Sequence, residues 1–150
     1  MIPLNDIFRI VLAVLCGGAI GFERELSGKA AGLRTNVLIC LGAAVFTMIS
    51  KQMAGEGGSV TRIAAQVVTG VGFLGAGAII QDRGGIYGLT TAATIWLVAS
   101  IGMACGAGFY ALGIVSTCLA IIVLIGLARL EKPLRRFGGK NKQSTPPDQQ

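Results

Sequence analysis

Residues 109–128 read FYALGIVSTCLAIIVLIGLA, a run of 20 residues without a charged side chain. A helix of that length rises ~30 Å, which matches the hydrocarbon thickness of a lipid bilayer. The run therefore predicts a membrane-spanning helix. Working outward, four more apolar stretches precede it, at residues 7–22, 37–49, 63–80 and 89–105. We predict an all-α membrane protein, a compact bundle of about five transmembrane helices.

The composition of the 150-residue chain agrees with this prediction, because 53% of its residues are hydrophobic and only 13% are charged. Soluble domains carry roughly 25% charged residues. The net charge is +6, but the basic residues cluster beside apolar runs and form no basic stripe, so we expect no nucleic-acid partner. The sequence has no histidine, and no nucleophile and base can be paired. We expect neither an enzyme nor a bound cofactor.

The four cysteines all lie within apolar stretches and lack metal-type spacing, so we interpret them as small core residues. The N-terminus lacks the basic region of a signal peptide, which predicts that the first helix is retained. Residues 7–22 and 37–49 are shorter than the ~20 residues that a spanning helix needs. They either extend into polar flanks, with Arg9 reaching the interface, or span incompletely; the last three stretches are long enough.

The distribution of basic residues predicts the orientation, because lysine and arginine are retained on the cytoplasmic side. With five helices, one side receives ten basic residues, namely Arg24, Lys29, Arg34, Arg83, Arg129, Lys132, Arg135, Arg136, Lys140 and Lys142. The other side receives Arg9, Lys51 and Arg62. This difference favours an N-out/C-in topology; a four-helix topology would leave one stretch in or on the membrane.

The 23 glycines are explained by helix packing, since small residues let helix backbones approach closely in lipid. Residues 70–75, GVGFLG, match the G-x-G-x-x-G nucleotide pattern, but they lie within an apolar run and not at a strand-to-helix turn. We therefore predict packing for these glycines and for those with similar spacing. The same rows of small residues have two alternative uses, lining a transport path or forming a homodimer contact. The packing set is Gly17, Gly21, Gly70, Gly72, Gly75, Gly77, Gly102 and Gly106.

Two loops on the predicted inner side contain most of the charges outside the tail. Charged groups that border hydrocarbon are functional candidates, although they also serve as interfacial anchors and helix caps. The candidates of the first loop are Glu23, Arg24, Glu25, Arg34 and Asn36. Those of the second are Asp82, Arg83, Thr90 and Thr91, of which the threonines can also bond to helix backbone.

Within the third stretch, Gln66 is a polar side chain well inside a predicted span, one turn beyond Arg62, so we expect it to face protein. No acidic residue lies in the middle of any predicted span. Magnesium prefers oxygen ligands, usually carboxylates with retained waters. A magnesium path would thus depend on carbonyls, hydroxyls and Gln66, or on an entry site at Glu23, Glu25 and Asp82; the metal ligands stay unknown.

Residues 1–128 therefore form the predicted transmembrane domain, and residues 129–150 form a basic cytoplasmic tail. Between residues 129 and 142 the tail carries six basic residues and one acidic residue. We expect it either to bind anionic lipids on the inner membrane surface or to act only as a topology signal. Residues 144–150 are polar and are predicted to be disordered.

Four motifs together resemble the MgtC/SapB family of bacterial membrane proteins: GFERE at 21–25, AGLRTN at 31–36, RIAAQVVTGVGFLGAG at 62–77 and GLTTAAT at 88–94. The resemblance covers residues 7–128 and implies a multi-pass protein of the bacterial inner membrane. It also implies a link to magnesium homeostasis, growth at low magnesium and, in some pathogens, virulence. The matching positions imply roles for Arg24, Glu25, Arg34, Asn36, Arg62, Gln66 and Thr90.

We expect the chain to be the short SapB-type form, without the ACT-like C-terminal domain of MgtC-type members. Two hypotheses follow. The first is a protein of magnesium homeostasis that acts through helix–helix contacts, as a homo-oligomer or with another membrane protein. The second is a transporter or channel for Mg2+ or another small solute.

Overall fold

The computed structural model describes residues 3–54, 61–82 and 85–138, without the side chains of residues 61–63, 82 and 131–138. This part of the chain folds into five α-helices and one β hairpin, which confirms the predicted all-α membrane fold. The elements are α1 (Leu4–Leu26), α2 (Leu33–Met53), α3 (Thr61–Gly77), β1 (Ile80–Asp82), β2 (Gly85–Tyr87), α4 (Leu89–Ala107) and α5 (Tyr110–Gly138).

Four of these helices are long and apolar enough to cross a membrane: α1, α2, α4 and the first 21 residues of α5. Of the two alternatives for the first two stretches, extension into the polar flanks is confirmed, because polar residues at their ends join the helices. The third helix is instead the short one, since α3 has 17 residues and ends at Gly77. Of the apolar residues that follow it, Ala78 and Ile79 connect the helix to strand β1, which begins at Ile80. The α5 helix continues through Gly138, so the basic segment begins as helix.

Helices α2 and α4 run parallel at the centre of the bundle. A Cβ on Gly102 would contact Cys40, and a Cβ on Gly106 would contact Ala44, so the pairing advances in the same direction along both helices. Helix α1 packs against α2, α4 and α5, and α3 packs against α2 and α4. The core consists of small and branched side chains, among them Ile20, Cys40, Val98, Ile101 and Cys105.

The short hairpin between α3 and α4 was not predicted from the sequence. Strands β1 and β2 are antiparallel, with Ile80 opposite Tyr87 and Asp82 opposite Gly85. Gly88 closes the hairpin with a φ of +87°, and a Cβ there would collide with the backbone oxygen of Ala78. Because α2 and α4 run parallel, the hairpin and the α1–α2 turn lie at the same end of the bundle. The orientation of that end in the membrane stays a prediction.

Candidate functional site

The α1–α2 interface is built on two glycines of α1. A Cβ on Gly17 would lie 2.6 Å from the Cβ of Cys40, and one on Gly21 would lie 2.8 Å from the Cα of Leu33. Only glycine permits this approach, because the contacts include backbone atoms that cannot rotate away. The close contact buries Asn36, which lies on the α2 side of the interface.

Asn36 is completely buried. Its side-chain nitrogen Nδ2 donates hydrogen bonds to the carbonyl oxygens of Ala31 at 2.7 Å and Gly32 at 2.9 Å. These two bonds set the orientation of the amide, since the reverse orientation would point Oδ1 at two acceptors. Within the described part of the chain, Oδ1 itself has no hydrogen-bond partner. A buried amide oxygen of this kind is able to accept a hydrogen bond from a water or a ligand.

Glu25 supplies the missing N-terminal cap of α2. That helix has no acidic residue in its first turn and no capping side chain of its own. The Glu25 carboxylate crosses the turn and accepts a hydrogen bond from the Leu33 backbone N–H at 2.9 Å. Its Oε2 atom occupies the space that a Cβ on Gly32 would need. Both the acid and the glycine of the motifs therefore have a local structural use.

Arg24 is 3% exposed and lies on the same face of α1 as the two packing glycines. Its Nε atom donates a hydrogen bond to the carboxylate of Glu23, which also accepts one from the Ser27 hydroxyl at 2.7 Å. This pair anchors the end of α1. Arg34 is exposed on the first turn of α2 and takes part in neither the Glu25 cap nor the Glu23–Arg24 pair.

Sequence reasoning missed a second polar cluster at the opposite end of the bundle. Asp6 and Arg9 form an ion pair at 3.3 Å, and the Arg9 Nε atom donates to the Tyr110 hydroxyl at 3.4 Å. That hydroxyl donates in turn to Asn5 Oδ1. The cluster fastens the start of α1 to the start of α5. Its detectable signal was the three-residue spacing of Asp6 and Arg9, which places opposite charges on one helix face.

Gln66 does not face the interior of the bundle, and the expectation that it faces protein stays a prediction. Its side chain is exposed, and no hydrogen bond joins it to another described residue. Gln66 lies on the wall of an open apolar groove of about 460 Å³ between α2 and α3, with Leu38, Gly42, Phe46 and Gly70 among the lining residues.

The eight glycines of the packing set divide into two groups. Gly17, Gly21, Gly102 and Gly106 make close contacts with α2, and Gly75 lies 3.6 Å from the Ala92 carbonyl oxygen, measured from an added Cβ. A Cβ on Gly70, Gly72 or Gly77 would meet no heavy atom within 4 Å. These three glycines therefore make no close packing contact inside the described bundle.

The threonines mostly satisfy backbone groups of their own helices. Thr94 donates to the Thr90 carbonyl at 2.8 Å, and both Thr91 and Thr94 are buried, whereas Thr90 is exposed. Thr47 and Thr117 bond in the same way to carbonyls four residues earlier.

The remaining candidates cannot be placed: Arg83 and the side chains of Arg62 and Asp82 lie outside the described residues. Among the residues that are described, no three Asp, Glu, Cys or His side chains cluster in a way that would hold a metal.

The model of the MgtC family matches residues 10–133, which is most of the chain and includes the polar residues around the α1–α2 turn. The chain belongs to the MgtC family. The resemblance seen in the motifs is therefore confirmed. With its apolar helices, this member of the MgtC family is a multi-pass protein of the bacterial inner membrane.

Relatives of the MgtC-family chain come from several bacteria. It is 50% identical over 125 residues to the "Putative magnesium transporter YhiD" of Escherichia coli strain K12, covering 79% of this chain and 58% of that protein. It is 49% identical over 122 residues to "Protein MgtC" of Brucella abortus strain 2308, covering 81% and 49%. "Protein SrpB" of Synechococcus elongatus is 39% identical over 138 residues, covering 83% and 76%.

The chain thus spans about half to three-fifths of the length of the YhiD and MgtC proteins that it matches. No solved structure matches it.

Proposed function

We propose that this protein serves magnesium homeostasis without being an enzyme, and that it acts through helix–helix contact with a second copy of itself or with another membrane protein. The magnesium link comes from the family and from the name of the YhiD relative. Because the chain spans 58% of YhiD, the activity of the longer protein does not transfer to it automatically.

The observation that carries the proposal is the open groove between α2 and α3. The groove is apolar except for Gln66, whose amide has no partner among the described residues. A primary amide in a lipid environment gains from a protein hydrogen bond that lipid tails do not offer. The two glycines in the groove, Gly42 and Gly70, leave space beside it, since a Cβ on either would meet nothing within 4 Å. Together these features suit a transmembrane helix as the occupant.

A transporter is the second candidate, favoured by the printed name of YhiD and by the unpartnered Oδ1 of Asn36. The interior offers such a path little polar surface. The buried hydroxyls of Thr47, Thr94 and Thr117 donate to their own helices. The grooves between the helices are lined mainly by apolar side chains. Magnesium gives up its water reluctantly and prefers carboxylate ligands, so an apolar interior is a poor route for it.

Reconstitution into liposomes separates the two functions. Purified protein, loaded at several protein-to-lipid ratios, should give a magnesium influx equal to that of empty vesicles, measured with an entrapped magnesium-sensitive dye. Influx that rises with protein content would refute the contact mechanism and support transport. A matched Asn36→Ala preparation would then show whether the buried amide belongs to the path.

A growth assay tests the link to magnesium. A strain that lacks the gene should grow poorly at low magnesium, and the wild-type chain should restore growth. The Gln66→Leu variant should restore it less well, whereas Ser100→Ala, which changes an exposed hydroxyl on α4, should restore it fully. Equal growth of the strain with and without the gene at every magnesium concentration would contradict the magnesium link.

A further inference from the structure

We infer that the hairpin of β1 and β2 lies in the lipid–water interface and rests on the phospholipid layer with one face, formed by Ile80 and Tyr87 and hereafter called the hairpin face. The partner of this surface is lipid, at the end of the bundle where the α1–α2 turn also lies. The inference is independent of the choice between contact and transport, because it concerns how this end of the bundle meets the bilayer.

The base of the hairpin lies at the membrane boundary. Gly88, which closes the hairpin, is also the N-cap of α4, and α4 is long and apolar enough to cross the membrane from its first residue, Leu89. On the other side of the hairpin α3 ends at Gly77, and the Ala78 backbone fills the space that a Cβ on Gly88 would need. The two strands therefore leave the bundle at the level where α4 enters the membrane.

The helices of the bundle give the hairpin little support. Neither strand packs extensively against a described helix. Each strand has only three residues, and those whose burial is described are all exposed. An isolated two-stranded hairpin is at best marginally stable in water, because it buries too little apolar surface. An apolar surface outside the described bundle is therefore needed to stabilise it, and lipid is the surface that surrounds the neighbouring membrane helices.

The hairpin face has the composition of an interfacial contact. Ile80 lies directly opposite Tyr87 in the strand register, so their side chains project from the same side of the hairpin. They are 63% and 57% exposed, and Leu89, which begins α4, is exposed as well. The exposed apolar side chains thus continue along the chain into a membrane helix. Tyrosine is enriched at membrane interfaces, where its ring contacts apolar groups and its hydroxyl reaches the headgroups.

The backbone limits how deeply the hairpin can enter the bilayer. The sheet has two strands in the described part of the chain, so the outer edge of each strand presents N–H and C=O groups that pair with no third strand. Such groups are costly in hydrocarbon, where neither water nor headgroups satisfy them. The hairpin is therefore held at headgroup depth. The hairpin face points toward the acyl chains, and the opposite face, which carries Gln81, points toward water.

Depth-dependent fluorescence quenching tests this position. The chain has one tryptophan, Trp96, and Trp96→Phe provides a background without it. Tyr87→Trp then places a single reporter on the hairpin face. The protein is reconstituted into nanodiscs whose lipids are brominated either near the headgroup or near the middle of the bilayer. We expect the strongest quenching from bromine near the headgroup, and weak quenching by acrylamide dissolved in the water.

Three control variants define the scale. Leu119→Trp, at an exposed position inside the span of α5, should be quenched most by bromine near the middle of the bilayer. Lys29→Trp, in the exposed turn at the same end of the bundle as the hairpin, should be quenched by acrylamide and little by brominated lipid. Gln81→Trp, on the opposite face of the hairpin, should be more accessible to acrylamide than Tyr87→Trp.

A second pair of variants tests whether the apolar contact holds the hairpin in the interface. In the Tyr87→Trp background, Ile80→Asp places a charge on the hairpin face, whereas Gln81→Asp places the same charge on the opposite face of the same strand. Ile80→Asp should raise acrylamide quenching to the level of the Lys29→Trp control, and Gln81→Asp should leave it unchanged. Both positions are exposed, so the core of the bundle is not disturbed.

Four results overturn the inference. Acrylamide quenching of Tyr87→Trp at the level of Lys29→Trp, with no effect of brominated lipid, places the hairpin in water. Protection from both quenchers shows that protein covers the hairpin face, from the rest of this chain or from a second copy. Strongest quenching by bromine near the middle of the bilayer contradicts the headgroup depth. Equal quenching of Tyr87→Trp and Gln81→Trp by each quencher contradicts the assignment of the hairpin face.

Discussion

The Glu25 carboxylate and the Leu33 backbone N–H, eight residues apart, are joined by a 2.9 Å hydrogen bond across the turn between α1 and α2. The bond joins the GFERE motif to the AGLRTN motif. An acid at the end of one helix caps the next helix, and the glycine at position 32 leaves room for it. Charged residues that suggest a ligand site thus also define how two helices meet.

The first prediction concerns this cap. Glu25→Ala should lower the free energy of unfolding by about 0.5–1 kcal/mol, the usual effect of losing an exposed helix cap. Gly32→Ala should have a similar effect, because its methyl group displaces the carboxylate. The double variant should be no less stable than the worse single variant, since both remove one bond. Thermal unfolding in detergent measures all three, and additive losses would show that the cap is not the shared cause.

The second prediction concerns the buried amide of Asn36. Asn36→Ala removes two hydrogen bonds and should cost about 2 kcal/mol. Asn36→Asp should cost more, because it points a carboxylate oxygen at the Ala31 and Gly32 carbonyls in a buried site. The measurement is the unfolding midpoint of each variant under one detergent condition. Equal stability of Asn36→Asp and wild type would mean that the Nδ2 atom does not face those carbonyls.

The third prediction uses glycines as matched controls. Gly102→Ala should destabilise the bundle by about 1–3 kcal/mol, as overpacking does, because its Cβ would meet the Cys40 backbone. Gly42→Ala lies in open space and should be neutral or stabilising by up to about 1 kcal/mol, since alanine favours helices. Retention on size exclusion together with the unfolding midpoint distinguishes them. Equal effects at the two positions would contradict the α2–α4 packing.

The fourth prediction concerns the cluster that ties α1 to α5. Tyr110→Phe removes the hydroxyl that bonds Arg9 and Asn5 but keeps the edge-on ring contact with Phe8, at 5.1 Å between centroids. The loss should be about 0.5–1.5 kcal/mol. Tyr110→Ala also removes the ring contact and should lose more. If both variants unfold at the same temperature as the wild type, the cluster does not hold α5 in place.

Several features were readable from the sequence because they depend on local composition. Long uncharged runs have few alternatives to membrane helices, and the four-residue spacing of Gly17 with Gly21 and of Gly102 with Gly106 indicated close packing. The third helix was overestimated for a related reason. Ile79 and Ile80 continue its apolar run, so hydropathy alone could not show that the helix stops at Gly77 and that Ile80 starts a strand.

The candidate site was only partly predictable. The sequence identified Glu25 and Asn36 through family motifs, but nothing in it indicated that one caps a helix and the other is entirely buried. Gln66 illustrates the limit, because its polarity in an apolar run predicted a protein neighbour without giving the direction. The structure turns it outward, where its amide has no hydrogen-bond partner among the described residues.

By itself, the sequence determined that this chain belongs in a membrane, roughly where its helices lie and which small residues allow them to approach, since these properties follow from transfer of side chains into lipid and from steric size. Only the tertiary structure decided which glycines are used inside the bundle, that Tyr110 joins Arg9 across 101 residues, and that Gln66 is exposed. The physical reason is that the rotation of each helix about its axis depends on contacts between distant segments. Lipid accommodates every apolar face of a helix equally well, so hydropathy does not indicate which face packs against protein.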